Sequence, residues 1–165
     1  RLKGHSHKYR DWKKWGHAKT DMHKAVVESC DVYFYSLAYR LGIDKMYHFM
    51  SLFGLGQLSG IDIPGERGGL MPSRTWKQKV KRQAWFPGET LITGIGQGYM
   101  SVTPIQLVSA IATFANKGLR YQPQLVKSIS QYQQSGKSIQ KKIAAKLVTT
   151  IPINNQNTGN LSLRQ

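Results

Sequence analysis

The sequence predicts an α+β fold that is mainly helical and whose sheet is incomplete, and three observations carry that prediction. Apolar residues recur at helical spacing behind side chains that cap helices, as at Asp44 ahead of Met46, Phe49, Met50 and Phe53. Thr103-Pro104 joins an N-cap residue to proline at the first helical position, a strong helix start. Strand-like alternation is confined to residues 119–132, and a hairpin turn at Gln134-Ser135-Gly136-Lys137 leads into a second strand or helix, too little to close a sheet.

Taken in order, residues 1–19 are basic and rich in His and Trp without periodicity, which predicts a loop held down by Trp12 and Trp15. Thr20 or Asp21 caps a short helix to about Glu28. A second helix, Asp31 to Leu41, places Phe34, Leu37, Ala38 and Leu41 on one face before Gly42 ends it. Ser29-Cys30-Asp31 falls at their junction. The helix capped by Asp44 stops at Gly54, and the stretch to Met71, with Ile61-Asp62-Ile63-Pro64-Gly65-Glu66-Arg67-Gly68-Gly69, is a turn-rich connector. Ser73 caps a basic helix through Trp76 to Arg82, closed by Trp85-Phe86-Pro87-Gly88. Thr93-Gly94-Ile95-Gly96-Gln97-Gly98 leads into the helix from Pro104 to Asn116, whose apolar residues lie on nearly every side and predict burial. Residues 1–150 make one domain, and the Asn/Gln/Ser-rich stretch 151–165 is expected to be a flexible tail.

The charge bounds function. Twenty-four Lys and Arg against 8 Asp and Glu in 165 residues give +16, a long-range positive field that suits nucleic acid, anionic headgroups or an anionic polymer. The basic residues are dispersed, and no zinc-finger, KH or RNP pattern accompanies them. A single cysteine, Cys30, excludes an internal disulfide. No apolar run reaches the roughly twenty residues that span a bilayer, and no signal-peptide pattern opens the chain.

The chemistry-bearing residues are Ser29 and Asp31, a hydroxyl and a carboxylate two residues apart where two helices meet. Alone, such residues read as helix caps worth about 1 kcal/mol each. Their neighbours change the reading. From Tyr9 to about Lys127 the chain carries Tyr9-Arg10-Asp11-Trp12-Lys13-Lys14-Trp15-Gly16-His17, Glu28-Ser29-Cys30-Asp31 with Tyr33-Phe34-Tyr35, and Leu41-Gly42-Ile43-Asp44. Further on come Met71-Pro72-Ser73-Arg74-Thr75-Trp76-Lys77-Gln78 and Gly94-Ile95-Gly96-Gln97-Gly98-Tyr99 with Thr103-Pro104-Ile105-Gln106. Together, in this order, they closely resemble the transpeptidase domain of class B penicillin-binding proteins of the elongation type, the penicillin-binding protein 2 subfamily.

That resemblance implies the fold of penicillin-binding proteins and serine β-lactamases, a central antiparallel sheet flanked by a helical lobe. This chain supplies much of the lobe and one or two strands at most, so apolar faces such as 104–116 should be uncovered and the isolated piece should be weakly stable or self-associate. It also implies a serine-type D-Ala-D-Ala transpeptidase that cross-links peptidoglycan stem peptides through an acyl-serine and is a β-lactam target. The implied setting is the periplasmic face of the bacterial inner membrane, with the anchor outside this chain. Elongation-complex membrane proteins, a glycan polymerase among them, are the implied partners, and nucleic acid is not expected. Ser29 matches the second-motif serine, whose hydroxyl relays a proton, and Asp31 stands where Asn is usual and is assigned to positioning.

Neither companion motif is in place. Ser138-Ile139-Gln140-Lys141 spells Ser-x-x-Lys but follows Ser29 in a polar stretch, Asn157-Thr158-Gly159 lacks the cation of Lys-Thr-Gly, and Lys19-Thr20-Asp21 lacks its glycine. The chain as given is therefore expected to be inactive alone. The glycines at 94–98 lack the strand-turn-helix context of a phosphate loop and are read as packing. Asp11, His17 and Cys30, spaced Asp-x5-His-x12-Cys, are side chains that zinc accepts. They resemble a zinc site near the active site in Gram-negative members of the subfamily, where a further upstream Asp completes the set; here water, His5 or His7 would close it. The competing reading is a basic nucleic-acid-binding or interaction module without catalysis, for which log K should fall steeply with log salt.

Overall fold

The computed structural model describes residues 7–132 and 138–152. Its elements are α1 (Met22–Val27), α2 (Asp31–Leu52), α3 (Arg74–Lys81), α4 (Pro87–Gly94), α5 (Pro104–Ala115), β1 (Leu119–Tyr121), β2 (Ser128–Tyr132), β3 (Ser138–Lys142) and β4 (Leu147–Thr150). They fall into two compact units, the first drawing on residues 7–48 and 72–100, the second on 49–71 and 101–152.

In the first unit Asp21 caps α1, its carboxylate accepting the Lys24 N–H at 2.8 Å. Gly42 interrupts α2 with φ 75° and ψ 159°, values that an L side chain adopts only under strain, so the helices expected on either side of it are separate pieces. Tyr33, Ala38, Ile43 and Met46 are its buried positions, whereas Leu41, expected on the inner face, is exposed. The break at Gly42 ends the first apolar stripe at Ala38 and restarts it at Ile43. Ser73 caps α3 by accepting the Trp76 N–H at 3.0 Å.

Helix α4 is not among the elements that the sequence predicts, and the reason is compositional. Glycines sit at both of its ends and two of its three buried residues are Thr90 and Thr93. Its start is marked by Pro87 at the first turn and by Glu89, whose carboxylate accepts the Phe86 N–H at 2.8 Å. The same carboxylate sits 2.5 Å from the buried Nζ of Lys77, which also lies 4.3 Å from the Phe86 ring centroid. A buried ammonium without that partner would be costly, so α3 and α4 are tied by the pair. At Gly94 a side chain would overlap Cβ of Ala38, and the glycine is what lets α4 and α2 approach.

In the second unit α5 begins with a reciprocal capping box between Thr103 and Gln106. Burial of this helix departs from what its all-round apolar pattern predicts and agrees with the expectation that an apolar face here is uncovered. Gln106, Ala110 and Thr113 face inward, and Leu107, Val108, Ile111 and Phe114 are exposed. Gln106 is inside because its amide is fully used: it accepts the Thr103 N–H and donates to the carbonyls of Gly68, at 2.6 Å, and Gln57. Phe114 still stacks on Phe53, with centroids 4.7 Å apart. The turn-rich connector is held by carboxylates, Glu66 accepting from Ser59 and Gly60 and Asp62 from Leu125 and Val126.

The stretch expected to alternate as one strand, 119–132, divides between two pairs. β1 pairs antiparallel with β4, Leu119 opposite Thr150, and β2 with β3, Ser128 opposite Lys142. Among the described residues these are two separate two-stranded sheets, an incomplete sheet as the sequence predicts. The turn at 134–137 and the tail from 153 lie outside the described residues. Ile151 is buried and its N–H donates to the Gly118 carbonyl at 2.9 Å.

Candidate functional site

The junction between α1 and α2 forms a Schellman turn. The Cys30 N–H reaches the Ala25 carbonyl at 2.9 Å and the Ser29 N–H reaches Val26 at 3.4 Å, the paired bonds that close a helix through a left-handed residue. That residue is usually glycine; here it is Ser29, at φ 54°. Left-handed backbone costs a non-glycine residue about 1–2 kcal/mol, so the serine sits where glycine would be more stable. Cys30 then packs with Ala25 and Tyr33, the apolar contact that accompanies such turns. Ser29 is exposed, and its hydroxyl has no hydrogen-bond partner among the described residues.

The loop 7–20 wraps this turn from behind. Trp12 makes three bonds to it: its indole N–H is shared between the carbonyls of Glu28, at 3.2 Å, and Ser29, at 3.0 Å, and its backbone N–H donates to the Asp31 carboxylate at 3.1 Å. Asp31 opens α2, where a carboxylate is favoured by the helix dipole. The expectation that Trp12 and Trp15 pin the loop by burial is corrected. Trp15 is 87% exposed and Trp12 65%, and Trp12 holds the loop by hydrogen bonding instead. Trp85, by contrast, is buried and donates to Thr90 at 2.8 Å, and Trp76 packs on Tyr99.

Asp11, His17 and Cys30 come together, with one donor atom of each lying within 4.8 Å of the others. Asp11 Oδ2 is the hub, 3.1 Å from the Cys30 thiol and 3.1 Å from His17 Nδ1. Four-coordinate zinc, with bonds of about 2.0–2.3 Å, sets its ligands roughly 3.3–3.8 Å apart, close to this spacing. Both imidazole nitrogens are buried without a hydrogen bond of acceptable geometry, a state costly for a polar ring and relieved by coordination. The cluster therefore fits a borderline-soft divalent cation. Burial pushes the Asp11 carboxyl up, but hydrogen bonds from Cys30, Lys13 and Val32, together with the adjacent His17 ring, outweigh it and hold the group below its ordinary value. Burial raises the Cys30 thiol, and Asp11 raises it further against the backbone N–H groups of Tyr33 and Val32. Glu28, which no motif in the sequence singles out as a ligand, lies 3.6 Å from His17 Nε2.

Other sequence candidates fall elsewhere. Ser138 to Lys141 is part of β3, a strand and not the opening of a buried helix. His5 and Asn157-Thr158-Gly159 lie outside the described residues, and His7 packs edge-on against Tyr9.

The peptidoglycan D,D-transpeptidase MrdA of Acinetobacter baumannii is 47% identical over 127 residues, which are 77% of this chain and 19% of that protein. The crystal structure of Pseudomonas aeruginosa PBP2 in complex with WCK 5153 matches with TM-score 0.73 at 51% identity, covering 77% of this chain and 29% of that one. The complex between PBP2 and MreC from Helicobacter pylori matches with TM-score 0.69 at 40% identity, over 73% of this chain and 22% of that one. The chain thus spans about a fifth of the length of the curated relative it matches. The pattern of the penicillin binding protein transpeptidase domain runs through residues 2–162, so the turn at Ser29, the buried cluster behind it and the helices around them are parts of one domain type: the chain belongs to the penicillin-binding protein transpeptidase domain family.

Proposed function

We propose that this segment serves in a peptidoglycan D,D-transpeptidase of the elongation type, where it supplies the second active-site motif. The observation that carries the proposal is the Ser29 turn: an exposed hydroxyl, without a partner among the described residues, on a left-handed residue fixed from behind by Trp12 and Cys30. In the reaction a serine of a Ser-x-x-Lys motif attacks the penultimate D-alanine carbonyl, D-alanine leaves, and an amine of a second stem peptide resolves the acyl-enzyme. Ser29 Oγ accepts a proton from one side and donates one to the other, linking the lysine amine to the leaving or attacking nitrogen. Asp31, ionised, accepts hydrogen bonds only, and its bond from the Trp12 N–H fits a positioning role.

Asp11, His17 and Cys30 would hold zinc, supported by the spacing of their donor atoms and the orphaned imidazole. A bound zinc would supply a fixed cross-link between the loop and the start of α2. Stem peptides and β-lactams are the ligands of this reading. Membrane proteins of the elongation complex are its partners, a view supported by the Helicobacter PBP2 solved with MreC. The site of action is the periplasmic face of the inner membrane; among the described residues no helix is long and apolar enough to cross a membrane.

The test is covalent labelling. A complete domain carrying this segment should be labelled by a fluorescent penicillin, and the 165-residue polypeptide alone, with no Ser-x-x-Lys ahead of Ser29, should not. Labelling of the polypeptide alone at any serine contradicts the reading.

A further inference from the structure

We propose that Trp12 is a positioning residue for acylation, acting through its indole N–H on the Ser29 turn. The inference rests on the assignment of Ser29 as the second-motif serine. Its starting point is the way Trp12 is held: within this chain the ring is 65% exposed and its contacts to the turn are polar. Its polar atom is fully used. The single indole N–H is shared between two successive carbonyls, those of Glu28 and Ser29, at 3.2 and 3.0 Å.

Those carbonyls flank the peptide that orients Ser29. The Schellman bonds satisfy the N–H groups of Ser29 and Cys30, the former only at 3.4 Å, and leave the outer carbonyls to other partners. With Ser29 at φ 54°, the turn stores backbone strain and persists only where its surroundings over-determine it. A rigid ring with two torsions delivers an N–H there at a fixed angle, which a flexible lysine or arginine would not. The ring itself is braced by the edge of His17, with centroids 5.5 Å apart. The Trp12 backbone N–H fixes the Asp31 carboxylate at 3.1 Å, so one residue holds the elements on both sides of Cys30. Loss of the indole N–H should let Ser29 leave its left-handed conformation and carry Oγ out of line with the proton path.

The experiment uses a complete transpeptidase domain carrying this segment, with stopped-flow acylation by a chromogenic β-lactam resolved into non-covalent affinity and acylation rate. Trp12→Phe keeps an aromatic ring without the N–H, and 3-benzothienylalanine at position 12 keeps the ring shape with sulfur in place of the N–H. Both are expected to slow acylation about 10–100-fold, the cost of misplacing a group by ~1 Å, with affinity and labelled fraction unchanged. Acylation at the parent rate in both variants overturns the proposal, as does a benzothienyl variant at parent rate beside a slow Trp12→Phe, which would assign the effect to ring packing. A fall in labelled fraction at unchanged rate shows a merely structural role and also overturns it. Ser29→Ala, run in parallel, separates the two ideas: parent-like acylation there sinks the assignment of Ser29 itself, whereas slow Ser29→Ala beside normal Trp12 variants sinks only the role of Trp12.

Discussion

Ser29→Ala, in a complete domain carrying this segment, is expected to lower β-lactam acylation by about 10²–10⁴-fold, the range that one positioned proton-transfer group contributes. Folding should hardly change. Alanine and serine meet the same penalty at φ 54°, and the hydroxyl has no partner among the described residues to lose. Ser29→Gly sharpens the point. Relief of left-handed strain is worth about 1–2 kcal/mol, and the extra chain entropy of glycine takes back about 0.5–1 kcal/mol. The glycine variant should therefore melt higher than the parent while acylating as poorly as the alanine variant. If Ser29 were only a helix-end residue, glycine would raise stability and leave acylation alone. Thermal melts and stopped-flow acylation on the same preparations distinguish the two outcomes.

At the proposed metal site, Cys30→Ala and His17→Ala are each expected to weaken metal binding by more than the roughly 10–100-fold that loss of a supporting outer-shell residue costs. Cobalt is a convenient probe, because a Cys30 ligand gives thiolate-to-metal absorption that disappears in Cys30→Ala. The sign with pH comes from the thiol. Burial and Asp11 raise its pKa, and the metal takes the thiolate, so binding releases a proton. Affinity should fall by up to about tenfold for each unit of pH below the thiol pKa. Equal cobalt affinity in the parent and Cys30→Ala would remove the metal assignment without touching that of Ser29.

Much of this arrangement is legible in the sequence because local rules decide it. Asp21, Ser73 and Thr103 cap helices as their residue types predict, and Gly42 breaks α2. The motif at Ser29, Cys30 and Asp31 is placed correctly at a helix junction for the same reason. The features that stay hidden depend on long-range packing. Helix α4 is missed because two of its three buried residues are threonines, whose hydroxyls bond the Trp85 indole and the Glu89 carbonyl, and because it ends in a glycine that allows close approach to Ala38. The inward face of α5 is carried by Gln106, whose partners at Gly68 and Gln57 lie far away in sequence. Among the described residues its apolar face is left exposed, as the resemblance to part of a larger fold implies, although periodicity alone predicts its burial. The bonds from Trp12 leave no sequence signal at all, since an exposed tryptophan in a basic loop reads the same whether or not its N–H is engaged.

The role of Ser29 is tested most directly by a crystal structure of a complete domain carrying this segment, trapped as the acyl-enzyme of a β-lactam. Ser29 Oγ is expected within hydrogen-bonding reach, about 2.6–3.2 Å, of the Ser-x-x-Lys lysine amine or of the nitrogen released from the lactam, with φ of residue 29 still positive. A Ser29 hydroxyl turned away from the acylated serine, with no bridging water between them, would contradict that role.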